Sequence, residues 1–564
     1  MNLRTGLFIV VLFFTRIGYA QTNPYPQNYF RNPLNIPMQL VANFGEIRTN
    51  HWHMGLDIRT QHKVNLPVYA AADGYVARVS VEPGGFGQAI YINHPNGYTT
   101  LYGHLNAFFP ALAAYVKQQQ YAQRRWNVNL ILSPGLFVVK KGDLIALSGS
   151  TGASEGPHVH FEIRDSETGN CLNPLLFRFP IADAVPPTVV RLALYDRNKS
   201  TYQQSPRIFS VKRTGSNYSV SGSPIRVGSN KISFAVGAVD HFTGSGNPNG
   251  IYGARVMMDG SPVSEFLLDN ISYNDTRYIN AQLDYPYKAR GGSSLQHITP
   301  LPGGGSVVYH VFNEDGAIHL TDNDPHAIVI EVRDANQNIS RISFTVQFDP
   351  LMDHSDPITE GERFLPNNIN IFERENFELF TTELTIYDTV MVQFNASVNE
   401  ATDAISPLFS FLSAAIPSHD TIKVRIRPST EISEDDKDRV VIRNNSGSRT
   451  FVEKARWEKG WLSASFRQFG TFQAFVDREP PTVNAPASDL SRATRIVFTP
   501  RDNFNTIRSF TAEVDGQWLR FSNDKGRSWI YNFDEKFPRG SHELTVVVED
   551  EAGNKTTKTW TVKR

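Results

Sequence analysis

The sequence has very little cysteine: Cys171 is the single one in 564 residues. This excludes an internal disulfide and any zinc cluster built on several cysteines. The chain also lacks an excess of charge, because its formal net charge is −1. No global basic field therefore draws it toward nucleic acid, and we expect no nucleic-acid partner. Cys171 itself is predicted to be a buried small hydrophobic residue, not a nucleophile.

Long apolar runs are absent apart from one at the N-terminus. Residues 1–4 carry a positive charge, residues 7–14 are apolar, and Gly18-Tyr19-Ala20 closes the segment with small residues at its first and third positions. This order is typical of a secretory signal peptide, and the apolar core is too short for the ~20 residues of a membrane-spanning helix. The sequence thus predicts a signal peptide at 1–20, no stable membrane span, and export to the periplasm, the cell envelope or the exterior of a bacterium.

A chain of this length predicts several domains, at about 150 residues each. Residues 35–180 contain short β-type runs separated by glycine-containing turns, which predicts an antiparallel β domain. One stretch, 110–124, begins with proline and has apolar residues at helical spacing, so we expect a short helix inserted between two strands. Such a helix could act as a lid or substrate-selecting wall beside a cleft, or could cover a sheet edge.

The remainder of the chain contains a distant internal repeat. Residues 183–189 recur as 477–483, both with the pattern Asp-x-x-Pro-Pro-Thr-Val, and two further stretches recur in the same order. These predict two immunoglobulin-like β-sandwiches, a first copy at 183–348 with an insertion and a last copy at 477–564. A middle segment at 350–476 is predicted to be a different β domain. The Asp/Asn-rich stretches 334–338 and 550–554 indicate hairpin turns more than calcium sites.

The residues suited to chemistry lie in the predicted N-terminal β domain. His158 and His160 are two apart, so both imidazoles project from the same face of a strand. His53 and Asp57 are four apart, which again places both on one face of an extended segment, and Gly55 between them leaves room for close approach. Imidazole and carboxylate ligands suit zinc, and three of them with an open position form a catalytic site.

Spacing alone leaves the kind of metal site and the role of each histidine open. The chain has 15 histidines, and a single His-x-His pair occurs by chance, as 51–53 illustrates. The stronger signal is that four patterns occur in order within one β domain. They are His53-Met-Gly-Leu-Asp57, Tyr102-Gly-His104, Gly149-Ser-Thr-Gly152 and Gly156-Pro-His158-Val-His160-Phe-Glu162.

This ordered set resembles the lysostaphin/LytM-type zinc metalloendopeptidases, bacterial enzymes that cut peptide bonds in peptidoglycan. The match runs from about residue 44 to residue 174, and the stretch 105–138 is longer than the usual link of that family. The resemblance implies one Zn²⁺ held by His53, Asp57 and His160. It also implies His158 as general base and His104 as a residue that positions water or stabilises the oxyanion.

The fold expected from these observations is mainly β, with an N-terminal metallopeptidase domain followed by about three β-sandwich-type domains. The expected substrate is a peptide of peptidoglycan, and the C-terminal β domains could bind protein partners. Glu162 could orient a ligand imidazole or serve a structural role. Three alternatives remain: an inactive LytM-like regulator of other hydrolases, a wall-binding protein or adhesin that uses its β-sandwich tail, and a peptidase with a non-wall substrate.

Overall fold

The computed structural model describes residues 24–305, 307–352, 360–398 and 403–564. The predicted signal peptide at 1–20 lies outside these residues. Strands dominate the described chain and helices are few and short, which confirms the prediction of a mainly β protein. Within the described ranges, no helix has the length and apolar character needed to cross a bilayer.

The N-terminal segment (24–180) is an antiparallel β structure with one inserted helix. The helix is α1 (Pro110–Ala122), close to the predicted 110–124. The strands are β1 (Leu40–Ala42), β2 (Ile47–Arg48), β3 (His51–Trp52), β4 (Leu56–Arg59), β5 (Pro67–Tyr69), β6 (Gly74–Val81), β7 (Gln88–Asn93), β8 (Tyr98–Gly103), β9 (Ala107–Phe108), β10 (Val128–Ile131), β11 (Val138–Val139), β12 (Leu144–Leu147), β13 (His158–Asp165) and β14 (Cys171–Leu172).

A large antiparallel sheet positions the candidate site. Its order is β1-β4-β13-β8-β7-β6-β10, and the small sheet β5-β12-β9 packs with it around one hydrophobic core. Along β13 the buried apolar residues Val159, Phe161 and Ile163 face that core. Because side chains alternate along a strand, His158, His160 and Glu162 face the other way. The register places His160 opposite Asp57 of β4.

Helix α1 begins at a proline, which tolerates the first turn because its missing N–H has no partner there. Leu112 and Val116 are buried against the core of the N-terminal segment. Its polar side instead contacts the far end of the chain, where Lys117 and Tyr121 reach Asp534. The helix is not among the elements that line the cleft described below.

The first copy (183–348) contains one twelve-stranded assembly and two short helices, α2 (Ile279–Gln282) and α3 (Tyr285–Ala289). The strands of this copy, all of which except β22 belong to the assembly, are β15 (Thr188–Asp196), β16 (Arg207–Thr214), β17 (Asn217–Val220), β18 (Ile225–Val227), β19 (Lys231–Val239), β20 (Gly253–Met258), β21 (Ser261–Leu267), β22 (Asn270–Ile271), β23 (Gln296–His297), β24 (Tyr309–Val311), β25 (Ile318–His319), β26 (Pro325–Arg333) and β27 (Ile339–Phe348).

The middle segment (350–476) consists mainly of two five-stranded sheets around its own core. Its strands are β28 (Arg363–Phe364), β29 (Ile371–Arg374), β30 (Phe377–Phe380), β31 (Val390–Met391), β32 (Phe394–Ser397), β33 (Leu408–Phe411), β34 (Ile422–Ile426), β35 (Val440–Ser446), β36 (Arg449–Lys454), β37 (Arg456–Glu458), β38 (Trp461–Phe466) and β39 (Gly470–Val476). The segment therefore differs in architecture from the first copy.

The last copy (477–564) has a four-stranded sheet, a two-stranded sheet and a fourth core. Its strands are β40 (Arg495–Phe498), β41 (Ile507–Val514), β42 (Gln517–Trp518), β43 (Trp529–Asn532), β44 (Ser541–Asp550) and β45 (Lys555–Lys563). The hairpin β44–β45 corresponds to β26–β27 of the first copy, and the stretches 334–338 and 550–554 form the turns of these hairpins, as predicted.

The N-terminal segment shares buried surface with the first copy. Phe44, Trp52, Met54 and Cys171 belong to the hydrophobic core of the first copy. Strand β22 of the first copy pairs with β14, so it extends the large sheet across the boundary. Trp52 Nε1 also donates a hydrogen bond of 2.7 Å to Gln282 Oε1. The two parts are therefore packed into one another.

Candidate metal centre

Three of the predicted site residues meet at one point on the face of the large sheet opposite its hydrophobic core. His53 Nε2 lies 3.0 Å from Asp57 Oδ1 and 3.0 Å from His160 Nδ1. His160 Nδ1 lies 2.9 Å from the same Asp57 oxygen. Ligand atoms of a tetrahedral zinc ion with bonds of about 2.0–2.1 Å are ~3.3 Å apart, so the three residues fit a zinc ion. All three are more than 90% buried.

Gly55 has no side chain, and this permits strand β13 and the imidazole of His160 to approach the segment between His53 and Asp57. A Cβ atom at this position would lie 2.5 Å from the Phe161 carbonyl oxygen and 2.9 Å from His160 Nε2. A side chain there would therefore displace His160 or the backbone of β13. The groups that approach Gly55 closely, as its spacing between His53 and Asp57 predicts, are the backbone of β13 and the imidazole of His160.

The orientation of His53 and His160 is fixed by their other ring nitrogens. His53 Nδ1 donates a hydrogen bond of 2.8 Å to the Asn43 carbonyl, which leaves Nε2 to act as the ligand atom. His160 Nε2 donates a hydrogen bond of 2.9 Å to Glu162 Oε1, which leaves Nδ1 to face Asp57. Such partners hold the tautomer and ring angle that a metal site needs. Asn43 is in turn held by the first copy, through two hydrogen bonds to the backbone of Gly250.

Glu162 is fully buried and has four partners. Oε1 accepts a hydrogen bond of 2.5 Å from the Tyr273 hydroxyl as well as the one from His160. Oε2 accepts from Arg164 Nε at 2.6 Å and from Cys171 Sγ at 3.4 Å. Burial alone would raise the pKa of Glu162, but the Arg164 charge and the hydrogen bonds hold this pKa at about 2. Glu162 is therefore an ionised partner of His160 and not a solvated carboxylate.

The two further histidines border the group. His158 Nε2 lies 3.4 Å from Asp57 Oδ1, and its Nδ1 donates to the Gly156 carbonyl at 2.8 Å. The His104 ring centre is 4.7 Å from that of His158, and its Nδ1 donates to the Thr151 carbonyl at 2.8 Å. Burial and the neighbouring His160 and His158 lower the pKa of His104 to about 3, so its ring is neutral. The ring of His104 thus presents an unprotonated Nε2.

The histidine group opens into a cleft of about 680 Å³. Its walls include cationic Arg48 and Arg59, and Arg48 Nη2 lies 3.6 Å from Asp57 Oδ2. His51 also lines the cleft, but it does not belong to the group of His53, Asp57 and His160. Tyr273 reaches the same cleft from the first copy.

The structure brings together all five residues singled out in the sequence, but several supporting residues carry no signal there. Asn43 and Gly156 act through backbone carbonyls, which any residue type provides. Tyr273 lies more than 100 residues beyond Glu162 in the chain. Thr151 belongs to one of the four patterns, so its position was indicated although its contact with His104 was not.

Comparisons with known proteins find matches to three parts of the chain. Residues 51–124 match the model of peptidase family M23, residues 362–477 match a Zu5-like domain, and residues 483–563 match a bacterial Ig-like domain. The chain therefore contains one region similar to peptidase family M23 and another similar to a bacterial Ig-like domain, which confirms the resemblance inferred from the sequence and supports a peptidase.

The similar proteins cover only part of the chain. An uncharacterised metalloprotease of Haemophilus influenzae is 35% identical over 163 residues, 29% of this chain and 28% of that protein. The DD-carboxypeptidase/endopeptidase Mpg of Neisseria meningitidis is 34% identical over 134 residues, 24% of each chain. The peptidoglycan DD-endopeptidase ShyA of Vibrio cholerae is 31% identical over 28% of this chain and 31% of that protein. The chain thus spans less than a third of the length of each of these relatives.

Among solved structures, a zinc-containing peptidase from Vibrio cholerae is 26% identical, with a TM-score of 0.20 over 27% of this chain and 40% of that one. The catalytic domain of lysostaphin from Staphylococcus simulans is 24% identical, with a TM-score of 0.17 over 24% of this chain and 87% of that one.

Proposed function

We propose that this chain, which carries a peptidase family M23 domain, is an exported zinc endopeptidase that hydrolyses peptide bonds of peptidoglycan. The observation that carries the proposal is the convergence of His53 Nε2, Asp57 Oδ1 and His160 Nδ1 within 3.0 Å of one another. Among the residues that the structure describes, the group has three nitrogen and oxygen ligands, and such a set leaves a fourth position for water or substrate, as in catalytic zinc sites.

The donor set supports zinc as the resident metal. It consists of two imidazoles and one carboxylate, whose side chains are buried and whose ligand atoms lie close together. Zinc in such a site lowers the pKa of bound water toward about 7 and polarises a carbonyl group. The chain's own contribution is to hold each imidazole in one tautomer, through the Asn43 carbonyl for His53 and through Glu162 for His160.

His158 is the proposed general base. Because its Nδ1 donates to the Gly156 carbonyl, its Nε2 carries the lone pair and can accept a proton from water. His158 Nε2 lies 3.4 Å from Asp57 Oδ1, so it is within reach of a water molecule bound where the three ligand atoms converge. The imidazolium formed can then return the proton to the leaving amine.

His104 is the proposed water-positioning residue. Its Nδ1 proton is engaged by the Thr151 carbonyl, so its Nε2 can accept a hydrogen bond but cannot donate one while the ring is neutral. Oxyanion stabilisation would need a protonated ring, which a pKa of about 3 opposes. Of the two roles that the resemblance implies, this geometry favours the positioning of water.

Peptidoglycan fits the cleft as a substrate class. Stem peptides carry free carboxylates, and Arg48 and Arg59 provide positive charge beside the metal-ligand group. The relatives named as DD-endopeptidases support the same class. The three metal ligands that the resemblance implies are all present and lie together, which favours an active enzyme over an inactive regulator.

The test uses the mature full-length chain, purified peptidoglycan and mass spectrometry of the fragments released, with zinc measured by elemental analysis. We expect His53→Ala, Asp57→Ala and His160→Ala to lose both zinc and hydrolysis. We expect His158→Ala to keep its zinc and to lose about 10²–10⁴-fold in kcat, the contribution typical of a general base. His51→Ala is the control and should retain both.

Retention of zinc and hydrolysis by His53→Ala would refute the ligand assignment. Zinc binding without release of any muropeptide fragment by the wild-type chain would instead favour a non-wall substrate. The released fragments also identify which bond is cut, since D-amino acid crosslinks, glycine bridges and stem peptides give products of different mass.

A further inference from the structure

Two groups of three carboxylates lie outside the candidate metal centre, one in the first copy and one in the last copy of the internal repeat. In the first copy, single oxygens of Asp183, Asp240 and Asp334 all lie within 4.8 Å of one another. Asp183 precedes the first strand of the copy, Asp240 follows β19, and Asp334 begins the β26–β27 turn. Residues far apart in sequence are therefore gathered at the point where the chain enters the copy.

The last copy repeats this arrangement at corresponding positions. Asp477, Asp502 and Asp550 also place single oxygens within 4.8 Å of one another. These are the residues that align with Asp183, Asp240 and Asp334 in the internal repeat. The two copies have diverged in most of their sequence, so the retention of three buried or half-buried acidic residues in each is not explained by packing.

An asparagine side chain makes corresponding hydrogen bonds beside each group. In the first copy, Asn338 Nδ2 donates to Asp334 Oδ2 at 2.7 Å and to the Asp183 carbonyl at 3.5 Å. In the last copy, Asn554 Nδ2 donates to Asp550 Oδ2 and to the Asp477 carbonyl, both at 3.0 Å. One asparagine thus links the hairpin to the entering chain in each copy.

Independent of this clustering, the groups contain buried oxygens without a partner. Asp240 is 2% exposed, and its Oδ1 has no hydrogen-bond partner in the described chain. In the last copy, Asp502 is half-buried, and its Oδ1 also has no partner in the described chain, whereas its Oδ2 accepts from the backbone of Phe504 and Thr506. Asn249, which forms a β-bridge with Asp240 and is 4% exposed, has a third such oxygen. A carboxylate can only accept, so a buried oxygen of this kind needs a donor or a cation.

No cationic side chain fills this need. Within the described ranges, none of the six carboxylates forms an ion pair with lysine, arginine or histidine. Burial, together with Asp334 and Asp183, raises the pKa of Asp240 to about 8. Burial also raises the pKa of Asp334 to about 6 and raises that of Asp477. Three carboxylates at such distances repel one another unless a cation lies between them.

We propose that each group is a binding site for one calcium ion, held by Asp183, Asp240 and Asp334 in the first copy and by Asp477, Asp502 and Asp550 in the last. The donors are oxygens only, which suits a hard divalent cation and not zinc. Calcium accepts six to eight oxygens in flexible geometry, so carboxylates from a linker, a strand end and a turn can serve together with water. The ion would tie the segment that enters each copy to its β-hairpin.

The first experiment measures calcium bound by the full-length chain after equilibrium dialysis against ⁴⁵Ca²⁺, with zinc measured separately. We expect two calcium ions per wild-type chain, one in Asp240→Asn, one in Asp502→Asn and none in the double variant. Asparagine keeps the shape of the side chain and removes its charge. The control Asp324→Asn changes an exposed aspartate of the first copy outside the group and should leave both ions bound.

The second experiment needs no variant and decides the question even if Asp240→Asn misfolds. Thermal unfolding of the wild-type chain is followed with calcium, with magnesium and with a chelator. An ion that binds the folded state raises the Tm as its concentration exceeds the Kd, and we expect calcium to raise it by at least about 3 °C. Absence of bound ⁴⁵Ca²⁺ together with an unchanged Tm would overturn the proposal. Equal binding of calcium by the double variant would overturn the ligand assignment.

Discussion

At the scale of single residues, Glu162 connects the metal-ligand group to the rest of the molecule. It accepts from His160, Tyr273 and Arg164, and none of its surface is exposed. An ionised carboxylate in this position fixes the Nε2 proton of His160 and increases the electron density at Nδ1. Glu162 is therefore a positioning residue for a metal ligand, and Tyr273 positions Glu162.

The first prediction concerns the hydrogen bonds from Tyr273 to Glu162 and from His160 to Glu162. Glu162→Gln should lower zinc affinity about 10–100-fold, the usual cost of losing a partner of a ligand histidine. Tyr273→Phe keeps the ring and removes one of the hydrogen bonds to Glu162, so its effect should be smaller and in the same direction. Zinc affinity is measured by competition with a chelator.

A matched control is Tyr75→Phe, which removes a hydroxyl that contacts Asn93 on the far part of the same sheet. It should leave zinc affinity unchanged. Wild-type affinity in Glu162→Gln would mean that the hydrogen bond of Glu162 to His160 does not support the metal.

The second prediction concerns Cys171, which is fully buried. Burial and the nearby Glu162 carboxylate raise the pKa of its thiol well above the usual range, and the thiolate is the reactive form. The native protein should therefore fail to react with a thiol reagent at about pH 8, whereas the guanidinium-unfolded chain should titrate one thiol per molecule. Rapid reaction of the native protein would contradict the burial of Cys171.

At the scale of elements, a turn of the last copy contacts the loops that hold the candidate site. Asp524 Oδ1 accepts a hydrogen bond of 2.7 Å from the Gly152 amide, and Lys525 Nζ donates a hydrogen bond of 2.6 Å to the Ser154 carbonyl. The loop that contains Gly152 also presents the Thr151 carbonyl to His104. The last copy thus stabilises a loop that orients a site histidine.

The third prediction tests this contact. Asp524→Ala combined with Lys525→Ala removes two hydrogen bonds, each with a net value of about 0.5–1.5 kcal/mol. Amide hydrogen exchange in the peptide that contains Gly152 should then be about 3–10-fold faster, as followed by mass spectrometry. Asp489→Ala, at an exposed position of the last copy, should change nothing there. Unaltered exchange in the double variant would show that the contact does not order the loop.

The sequence predicted the elements whose signal is local. The His-x-His alternation fixed one face of β13, and the proline and apolar spacing of α1 fixed a helix. Contacts between distant segments had no such signal. Strand β22 pairs with β14, and Tyr273 reaches Glu162, because two hydrophobic surfaces pack together, and neither surface is complete in a short stretch of sequence.

At the scale of the whole molecule, the N-terminal segment is supported from two sides. The first copy buries Phe44, Trp52, Met54 and Cys171, and it also holds Asn43, whose carbonyl orients His53. The last copy contacts α1 through Asp534, which accepts from Lys117 and Tyr121. The N-terminal segment and the first copy meet near residue 180 in the sequence, but residues of both belong to one hydrophobic core.

The last prediction follows from this shared core. A fragment of residues 21–180 exposes the apolar side chains that the first copy covers, and each large one loses about 1.5–3 kcal/mol of burial. It also loses Tyr273 and the strand β22. We expect this fragment to unfold at least about 10 °C below the fragment 21–348 and to bind zinc more weakly, as measured by calorimetry and chelator competition. Equal Tm and zinc affinity in the two fragments would show that the N-terminal segment folds independently and that the first copy has a role other than support of the metal site.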